Sequence, residues 1–328
     1  MKIKILGTES LGVRGLSCEV VLKNRKIVID PGLALGYRRF GYLPHPAQVA
    51  VGEHVRMKIF DTLAETTDVV FSHFHGDHVP LPDANPYQLD AYHAAHLLQK
   101  VRLWSKGPEG LSRHMTARRE TLIEILGREL PNTEGQKDGP LEFSSPVPHG
   151  DPHKNPFTVM MTRIEDEDGV FVHASDIQLL DREAVETIAA WCPDIVLASG
   201  PALYLDSLSP HQQKKAWANG IHLARSVKTL ILDHHLLRSK SGLDWLEHLA
   251  SETGGQVLCA ADFMGHERCL LEARRVELYA EMPVPEGWHA AYAMGKVDVR
   301  GFDVCAGKSG NNYFNMVMLK TDSDMPLE

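Results

Sequence analysis

The stretch that most constrains this chain is VVFSHFHGDH at residues 69–78. An apolar run typical of a buried strand ends there in three histidines and an aspartate within six positions. Side chains alternate along an extended chain, so His73 and His75 can point at one place. A glycine then lets the backbone turn, and Asp77 and His78 face a neighbouring place. Imidazole and carboxylate groups bind zinc and iron, so the stretch predicts a metal site.

Composition narrows the class of protein. The 328 residues, 43% hydrophobic and 23% charged, are typical of a soluble globular protein with one large or two small domains. The formal net charge of -9 weighs against a dedicated nucleic-acid binder. No apolar run reaches the roughly 18 residues of a membrane span, and the start of the chain lacks a signal-peptide pattern. We therefore expect a cytoplasmic protein without membrane contact.

The cysteines fit the same expectation. None of the five forms a C-x-x-C pair, so neither a disulfide framework nor a structural zinc cluster is indicated. We predict reduced, mostly buried thiols at positions 18, 192, 259, 269 and 305.

Nine short apolar runs, rich in β-branched and long aliphatic residues, are predicted as strands. They are residues 2–6, 18–23, 26–30, 68–73, 157–164, 169–176, 194–200, 229–235 and 256–262. Apolar residues spaced at three and four predict helices between the later runs, at 182–191, 211–226 and 243–252. Early strands joined by short turns and later strands alternating with helices favour a β-sandwich with helices on its outer faces.

The predicted strands share a feature at their carboxyl ends. Runs end at or near Asp30, His73, Asp176 and the pair His234 and His235. Loops at strand ends can converge while the sheet stays rigid, so functional side chains concentrate there. We expect these residues to meet.

Residues 79–148 interrupt the strand pattern and are predicted to be a helical insertion beside the core. They hold the most basic part of the chain, at Lys100, Arg102, Lys106, Arg113, Arg118 and Arg119. These side chains are either solvated helix faces or a wall that attracts an anionic substrate. We assign residues 1–282 to one hydrolase domain and residues 283–328 to a C-terminal extension packed on it, with a closing hairpin near its end.

Two segments resemble a known family. VVFSHFHGDH resembles the signature of the metallo-β-lactamase superfamily, and KIVIDPG at 26–32 resembles an earlier strand of that family that ends in Asp-Pro-Gly. The resemblance covers about residues 1–265, and within the superfamily it is greatest to a poorly characterised group of prokaryotic metallo-hydrolases. It implies an α/β protein, an αββα sandwich that holds one or two metals at its edge.

The resemblance also implies a ligand set. The first metal would be held by His73, His75 and His149, and the second by Asp77, His78 and His234, with Asp176 bridging. Asp30 would orient the histidine-rich loop through hydrogen bonds. The cofactors would be two divalent metal ions, zinc in the first place, with iron or manganese as alternatives.

Some assignments have competitors in the sequence. Either His234 or His235 can be the last ligand. We prefer His234, because its spacing to Arg238 is that of an RNA-processing branch of the superfamily. His235 would then be a nearby acid or substrate contact. His149 is preferred over His153 because it fits the strand-end position better.

Other histidines and one arginine receive different interpretations. His173 lies three residues before Asp176, out of phase with the metal, and is interpreted as a core histidine. His93 and His96 are assigned to a helix surface or a helix contact. Arg14, in the first loop, either grips a substrate carboxylate or phosphate or forms a structural salt bridge.

These features predict a hydrolase that uses a metal-bridging hydroxide, with Asp77 orienting it, to cleave an ester-type bond of a small anionic molecule. A phosphodiester and a lactone are both open. The alternatives are a nuclease for RNA or single-stranded DNA and an iron-dependent persulfide-type oxygenase. A non-catalytic metal sensor is a further alternative, and a homo-oligomer is not excluded.

Overall fold

A computed structural model describes residues 1–154 and 156–302, and the backbone of Val317–Met318. The strands are β1 (Lys2–Gly7), β2 (Ser17–Val21), β3 (Lys26–Ile29), β4 (Asp68–Phe71), β5 (Arg102–Ser105), β6 (Lys137–Asp138), β7 (Leu141–Phe143), β8 (Val147–Pro148), β9 (Thr158–Val159), β10 (Thr162–Asp166), β11 (Gly169–His173), β12 (Ile195–Ala198), β13 (Thr229–Leu232), β14 (Gln256–Leu258) and β15 (Val317–Met318). The α-helices are α1 (Pro46–Ala64), α2 (Ala91–Leu98), α3 (Arg113–Leu126), α4 (Arg182–Ala190), α5 (Pro210–Ser226), α6 (Lys240–Thr253), α7 (Ala260–Phe263), α8 (Arg275–Glu281) and α9 (Trp288–Ala293). Short 3-10 helices lie at Glu9–Leu11 and Leu236–Arg238.

The strands form two large sheets and a small two-stranded one. The first large sheet has the order β15-β1-β2-β3-β4-β5, antiparallel from β15 to β3 and parallel from β3 to β5. The second has the order β14-β13-β12-β11-β10-β7-β6, parallel from β14 to β11 and antiparallel beyond. The remaining pair is β8 with β9. Antiparallel neighbours need only turns, whereas parallel neighbours need crossovers, and helices supply most of these.

Alternation along the strands divides the core into layers. In β4, Val70 packs in the cluster between the sheets, where it joins Ile5 and Ile29 of the first sheet and Leu197 and Ile231 of the second. Its neighbour Val69 faces the opposite way, into a cluster with α1, α2 and α3. A third cluster joins the second sheet to α4, α5 and α6. The predicted αββα sandwich is confirmed.

Most predicted elements are present within a few residues of their expected ends. α5 begins at Pro210, and Ser209 caps it with a reciprocal capping box to Gln212, as the Ser-Pro sequence indicates. The run 157–164 divides into β9 and β10, and the run 256–262 ends its strand at Leu258 and continues as α7.

The sequence interpretation overlooked α1. Every residue from Pro46 to Gly52 is buried, so this half of the helix has no polar face to reveal its period. The cap is also unusual, because the Nδ1 atom of His45 accepts a hydrogen bond from the Ala47 amide at 3.1 Å. Histidine is not among the residues that normally mark a helix start.

Residues 79–148 hold α2 and α3 together with strands of both large sheets. β5 is an edge strand of the first sheet, and β6 and β7 form the end of the second. The segment therefore supplies strands to both large sheets of the sandwich, in addition to the helices that pack beside it. Residues Val284, Trp288 and Tyr292 pack against the helix layer of the first sheet. Most of the predicted closing hairpin lies outside the described residues, although β15 pairs with β1.

The structure describes four of the five cysteines. Cys18 and Cys259 are buried free thiols and Cys192 is an exposed one. Cys269 is disulfide-bonded, so the prediction of reduced thiols is wrong for this residue. Cys305 lies outside the described residues.

Among the helices of the described ranges, none has the length and apolar character needed to cross a membrane.

Candidate metal centre

The histidine-rich loop is held in place by one buried carboxylate. Asp30 follows β3 with a φ of 50°, a conformation that few residues other than glycine adopt. Its Oδ1 accepts from the Ser72 amide at 2.8 Å, and its Oδ2 accepts from the Ser72 hydroxyl at 2.5 Å and lies 2.8 Å from Nδ1 of His78. Burial alone would raise the pKa of Asp30, but the bond to His78 lowers it below the ordinary value. Asp30 thus ties both ends of the loop to β3.

Three histidines and Asp176 form a first cluster. Nε2 of His73 lies 2.9 Å from Nδ1 of His75 and 3.3 Å from Oδ2 of Asp176. Nε2 of His149, just after β8, lies 3.1 Å from the same carboxylate oxygen. The four candidate ligand atoms all lie within 4.8 Å of one another.

A second cluster lies on the other side of Asp176. Nε2 of His78 is 3.3 Å from Nε2 of His234 and 3.1 Å from Oδ1 of Asp176. His234 follows β13 with a φ of 37°, and its Nε2 lies 3.6 Å from Oδ2 of Asp77. Asp77, His78 and His234 also present ligand atoms within 4.8 Å of one another.

Asp176 therefore presents one oxygen to each cluster. Its Oδ2 faces His73, His75 and His149, and its Oδ1 faces His78 and His234. That Oδ1 is buried and makes no hydrogen bond within the described residues. Facing nitrogen pairs such as His73 with His75 can share at most one proton. A buried set of facing lone pairs and an unsatisfied carboxylate oxygen fits two bound cations.

The protonation states of two histidines of the first cluster agree with this donor set. Burial lowers the pKa of His73 to about 3, and the neighbouring His78 acts in the same direction. Burial also lowers the pKa of His149. Neutral imidazole is the form that binds metals. For His78, burial would lower the pKa, but Asp176 and Asp30 raise it well above its ordinary value. The carboxylates thus favour a positive charge at the position of His78.

The structure places both members of the His234 and His235 pair at the centre, on different sides. Nε2 of His235 lies 3.5 Å from Oδ2 of Asp176, and its ring centroid lies 5.6 Å from that of His149. His234 joins the second cluster, and His235 lies beside the first. The alternative candidate His153 is exposed and outside both clusters.

The remaining histidines of the sequence interpretation lie elsewhere. His173 is buried in β11, and its Nε2 lies 2.9 Å from the Leu16 carbonyl oxygen, as expected of a core histidine. His93 and His96 are exposed on α2.

Glu9 is a site residue that the sequence interpretation missed. It lies buried in the 3-10 helix after β1, with Oε2 2.8 Å from Nδ1 of His234 and Oε1 2.6 Å from Nε of Arg238. A carboxylate on the second ring nitrogen fixes the tautomer and orientation of a metal-binding histidine. The available signal was TES directly after the strand KIKILG, the same pattern of an acid after an apolar run.

Two arginines surround Asp77. Arg238 is buried, and its Nη2 lies 3.3 Å from Oδ2 of Asp77, while its Nη1 donates to the Tyr204 hydroxyl at 3.0 Å. Arg14 reaches the same Asp77 oxygen at 3.6 Å and keeps part of its side chain exposed. Burial would raise the pKa of Asp77, but Arg14 and the other cations hold it well below the ordinary value. Asp77 is therefore an ionised carboxylate.

Four of the six basic side chains singled out in residues 79–148 bind other groups of the protein. Lys106 is buried and donates to Glu134 at 2.8 Å, and Arg102 pairs with Asp68 at 2.9 Å. Arg118 donates to the Phe74 carbonyl oxygen at 3.3 Å, and Arg119 donates to the Leu130 carbonyl oxygen, beyond the end of α3, at 2.6 Å. Lys100 and Arg113 are exposed. The structure thus gives four of these six side chains partners within the protein and leaves Lys100 and Arg113 at the surface.

The sandwich, the histidine-rich loop at the end of β4 and the two clusters define a protein with a fold of the metallo-β-lactamase type and a candidate metal centre at its edge. No family model matches the chain. A UPF0282 protein of Methanosarcina mazei is 51% identical over 302 residues, which are 92% of this chain and 99% of that one. One from Methanopyrus kandleri is 36% identical over 294 residues, 86% of this chain and all of that one. The chain belongs to the UPF0282 family.

Similarity to solved structures is weaker. The crystal structure of Tm1679, a metal-dependent hydrolase of the beta-lactamase superfamily, is 15% identical and has a TM-score of 0.48. The match covers 79% of this chain and 96% of that one. A likeness of this size assigns no activity, and the fold assignment rests on the sheets, helices and clusters of the chain itself. Together they form a candidate site for metal ions.

Proposed function

We propose that this protein is a hydrolase that holds two divalent metal ions and cleaves an ester-type bond, a phosphodiester or a lactone, of a small anionic molecule. The observation that carries the proposal is the position of Asp176. Its two oxygens face two separate clusters, and the oxygen toward His78 and His234 is buried without a hydrogen bond in the described residues.

The residues of each cluster would hold one ion. His73, His75 and His149 would hold the first, Asp77, His78 and His234 the second, and Asp176 both. Ions held there would supply Lewis-acid chemistry, which would lower the pKa of a bound water and stabilise negative charge on substrate oxygens. Zinc suits this set of imidazole and carboxylate ligands, and iron and manganese suit it as well.

The side chains around the clusters orient the candidate ligands and contact the substrate. Glu9 and Asp30 hold His234 and His78 through their second ring nitrogens. Asp77, kept ionised beside Arg14 and Arg238, accepts hydrogen bonds and does not act as an acid. His235 stands beside Asp176, and its Nδ1 has no hydrogen-bond partner in the described part of the chain. Burial lowers the pKa of His235 well below its ordinary value, so we assign its neutral ring a contact with the substrate.

The first experiment compares His75→Ala with the wild type in hydrolysis of bis-p-nitrophenyl phosphate, a generic phosphodiester. Loss of one imidazole from the first cluster is expected to lower kcat/KM by about 100-fold or more. The matched control is His96→Ala, because His96 is exposed on α2, outside the clusters. Equal activity of His75→Ala and the wild type would contradict the proposal.

The alternatives predict different results. A nuclease would bind RNA with a steep salt dependence. The structure gives that alternative little support, because Arg238 is buried against Glu9 and Asp77. An oxygenase would contain a single iron per chain and consume oxygen, and that result would replace the hydrolase proposal.

A further inference from the structure

A short hairpin beside the metal centre carries exposed aromatic rings. Residues 36–42 read GYRRFGY, and we call this segment the aromatic hairpin. Arg39 and Tyr42 exchange two backbone hydrogen bonds of 3.0 and 2.9 Å around the turn residues Phe40 and Gly41. Of the nine large hydrophobic side chains exposed in the described residues, three lie here: Tyr37, Phe40 and Tyr42. One third of these exposed side chains therefore lies within a single seven-residue segment.

The turn holds Phe40 in an unfavourable backbone conformation. Phe40 has a φ of 53° and Gly41 a φ of 82°, as in a type I′ turn, whose first position strongly favours asparagine or glycine. A bulky aromatic residue with positive φ is an outlier. Outliers of this kind concentrate at binding sites, and Phe40 is also the most exposed ring of the hairpin, at 61%.

The base of the hairpin is fixed. Arg275, fully buried, donates through Nη1 to the carbonyl oxygens of Gly36 at 2.6 Å and Tyr42 at 3.2 Å. The Tyr42 ring stacks on Tyr279 with a centroid distance of 4.4 Å. The tip is thus presented on a rigid support, as a preformed ligand subsite requires.

Cationic side chains lie between this tip and the metal centre. The guanidinium of Arg39 lies 5.0 Å from the Phe40 ring centroid and 4.6 Å from that of Tyr204, and it also pairs with Glu272 at 3.4 Å. The Tyr204 hydroxyl contacts Arg238, which reaches Asp77.

Arg14 makes a second connection between the aromatic hairpin and Asp77. Its Nη2 lies 3.6 Å from Asp77, and a Cβ on Gly36 would lie 3.2 Å from its Nη1. The order from the hairpin toward Asp77 is thus an exposed aromatic ring, then the guanidinium groups of Arg39 and Arg14, then the candidate metal ligands.

We propose that the aromatic hairpin is the substrate-recognition subsite and that the substrate is a small nucleotide. Its base stacks on Phe40, while Arg14 and Arg39 contact the phosphate that the metal centre receives. Stacking suits any flat base, and guanidinium groups suit phosphate oxygens. The placement of the phosphate rests on the proposed hydrolase function, whereas base stacking does not.

The test measures binding to the metal-loaded wild-type protein by calorimetry, with three probes. Adenosine 5′-monophosphate carries base and phosphate, ribose 5-phosphate lacks the base, and adenosine lacks the phosphate. We expect the monophosphate to bind about tenfold more tightly than either fragment. Phe40→Asn removes the ring but suits the positive φ, so the turn is kept. It should weaken monophosphate binding about tenfold and leave ribose 5-phosphate unchanged.

Two further variants sharpen the result. Phe40→Tyr keeps a ring and should retain the affinity for the monophosphate. Tyr92→Ala removes an equally exposed ring, 63% exposed on α2, and should change nothing. Wild-type affinity in Phe40→Asn, or equal binding of the monophosphate and ribose 5-phosphate, overturns the proposal. So does a dimer that Phe40→Asn dissociates while nucleotide binding is unchanged, because the hairpin is then a subunit interface.

The outcomes separate this inference from the hydrolase proposal. Base-dependent binding without hydrolysis of bis-p-nitrophenyl phosphate under any metal supports the subsite and contradicts the hydrolase. Hydrolysis by the wild type, together with nucleotide binding that Phe40→Asn does not alter, supports the hydrolase and overturns the subsite.

Discussion

Single residues determine how the candidate ligands are oriented, and Glu9 is the most informative of them. It binds His234 through one oxygen and Arg238 through the other, although 225 and 229 positions separate these residues in sequence. The acid directly after the strand KIKILG marks Glu9 as a candidate, but the local sequence does not reveal its two partners. The four candidate ligands after β4 could be identified because they lie within six positions, whereas Glu9 meets the site only through the fold.

Glu9→Gln is expected to weaken metal binding about 10- to 100-fold, because the amide neither carries the charge that His234 and Arg238 face nor fixes the imidazole tautomer as firmly. Competition with a chelator of known affinity measures the change. Glu120→Gln, at an exposed position on α3, is the control. Equal metal affinity in Glu9→Gln and the wild type would show that Glu9 has only a structural role.

At the scale of elements, the strand ends explain why much of the site was predictable. Asp30, His73, Asp176 and His234 all follow short apolar runs, and the two sheets bring these ends to one edge. Loops at one edge of a sheet lie close together, so the residues that follow the predicted strands include most of the candidate site residues. The aromatic hairpin and Tyr204 were not predicted, because they reach the centre through loops whose paths the strand pattern does not determine.

Elements without a polar face or a usual cap were harder to predict. α1 is buried along its first seven residues, Pro46–Gly52, and begins at a histidine cap. The strands within 79–148 are two to four residues long, too short for alternation to be recognised. Both failures arise because tertiary packing, rather than local pattern, defines these elements.

Asp68 joins three elements of the first sheet and gives a pH-dependent prediction. At the start of β4, it accepts from Arg25 at 2.6 Å in the β2–β3 turn and from Arg102 at 2.9 Å in β5. Burial opposes the change, but Arg25, Thr67, Trp104 and Arg102 lower the pKa of Asp68. A lowered folded-state pKa contributes stability above the unfolded value of about 3.9, and the contribution disappears as the pH falls through the folded value.

The free energy of unfolding of Asp68→Asn should therefore fall below that of the wild type at pH 7, and the difference should shrink as the pH is lowered below about 4. Urea denaturation at a series of pH values measures it. Asp61→Asn, at an exposed position on α1, should show no such trend. A difference that stays constant with pH would mean that the charge of Asp68 does not stabilise the sheet.

At the scale of the whole molecule, the two sheets and their helix layers form a rigid support, and the proposed chemistry lies at one edge of it. The first sheet and its loops supply Asp30 and the histidine-rich loop, and the second sheet supplies Asp176 and His234. Each of the two clusters contains residues from both halves of the sandwich, so the centre forms only when the sheets pack together.

The most direct test of this account is the ratio of metal to protein in the purified wild-type chain, measured by elemental analysis. Two clusters that share Asp176 predict about two divalent ions per chain. A ratio near zero after purification and incubation with zinc, iron or manganese would contradict the metal centre itself. A ratio that saturates at one would contradict the bridging role of Asp176.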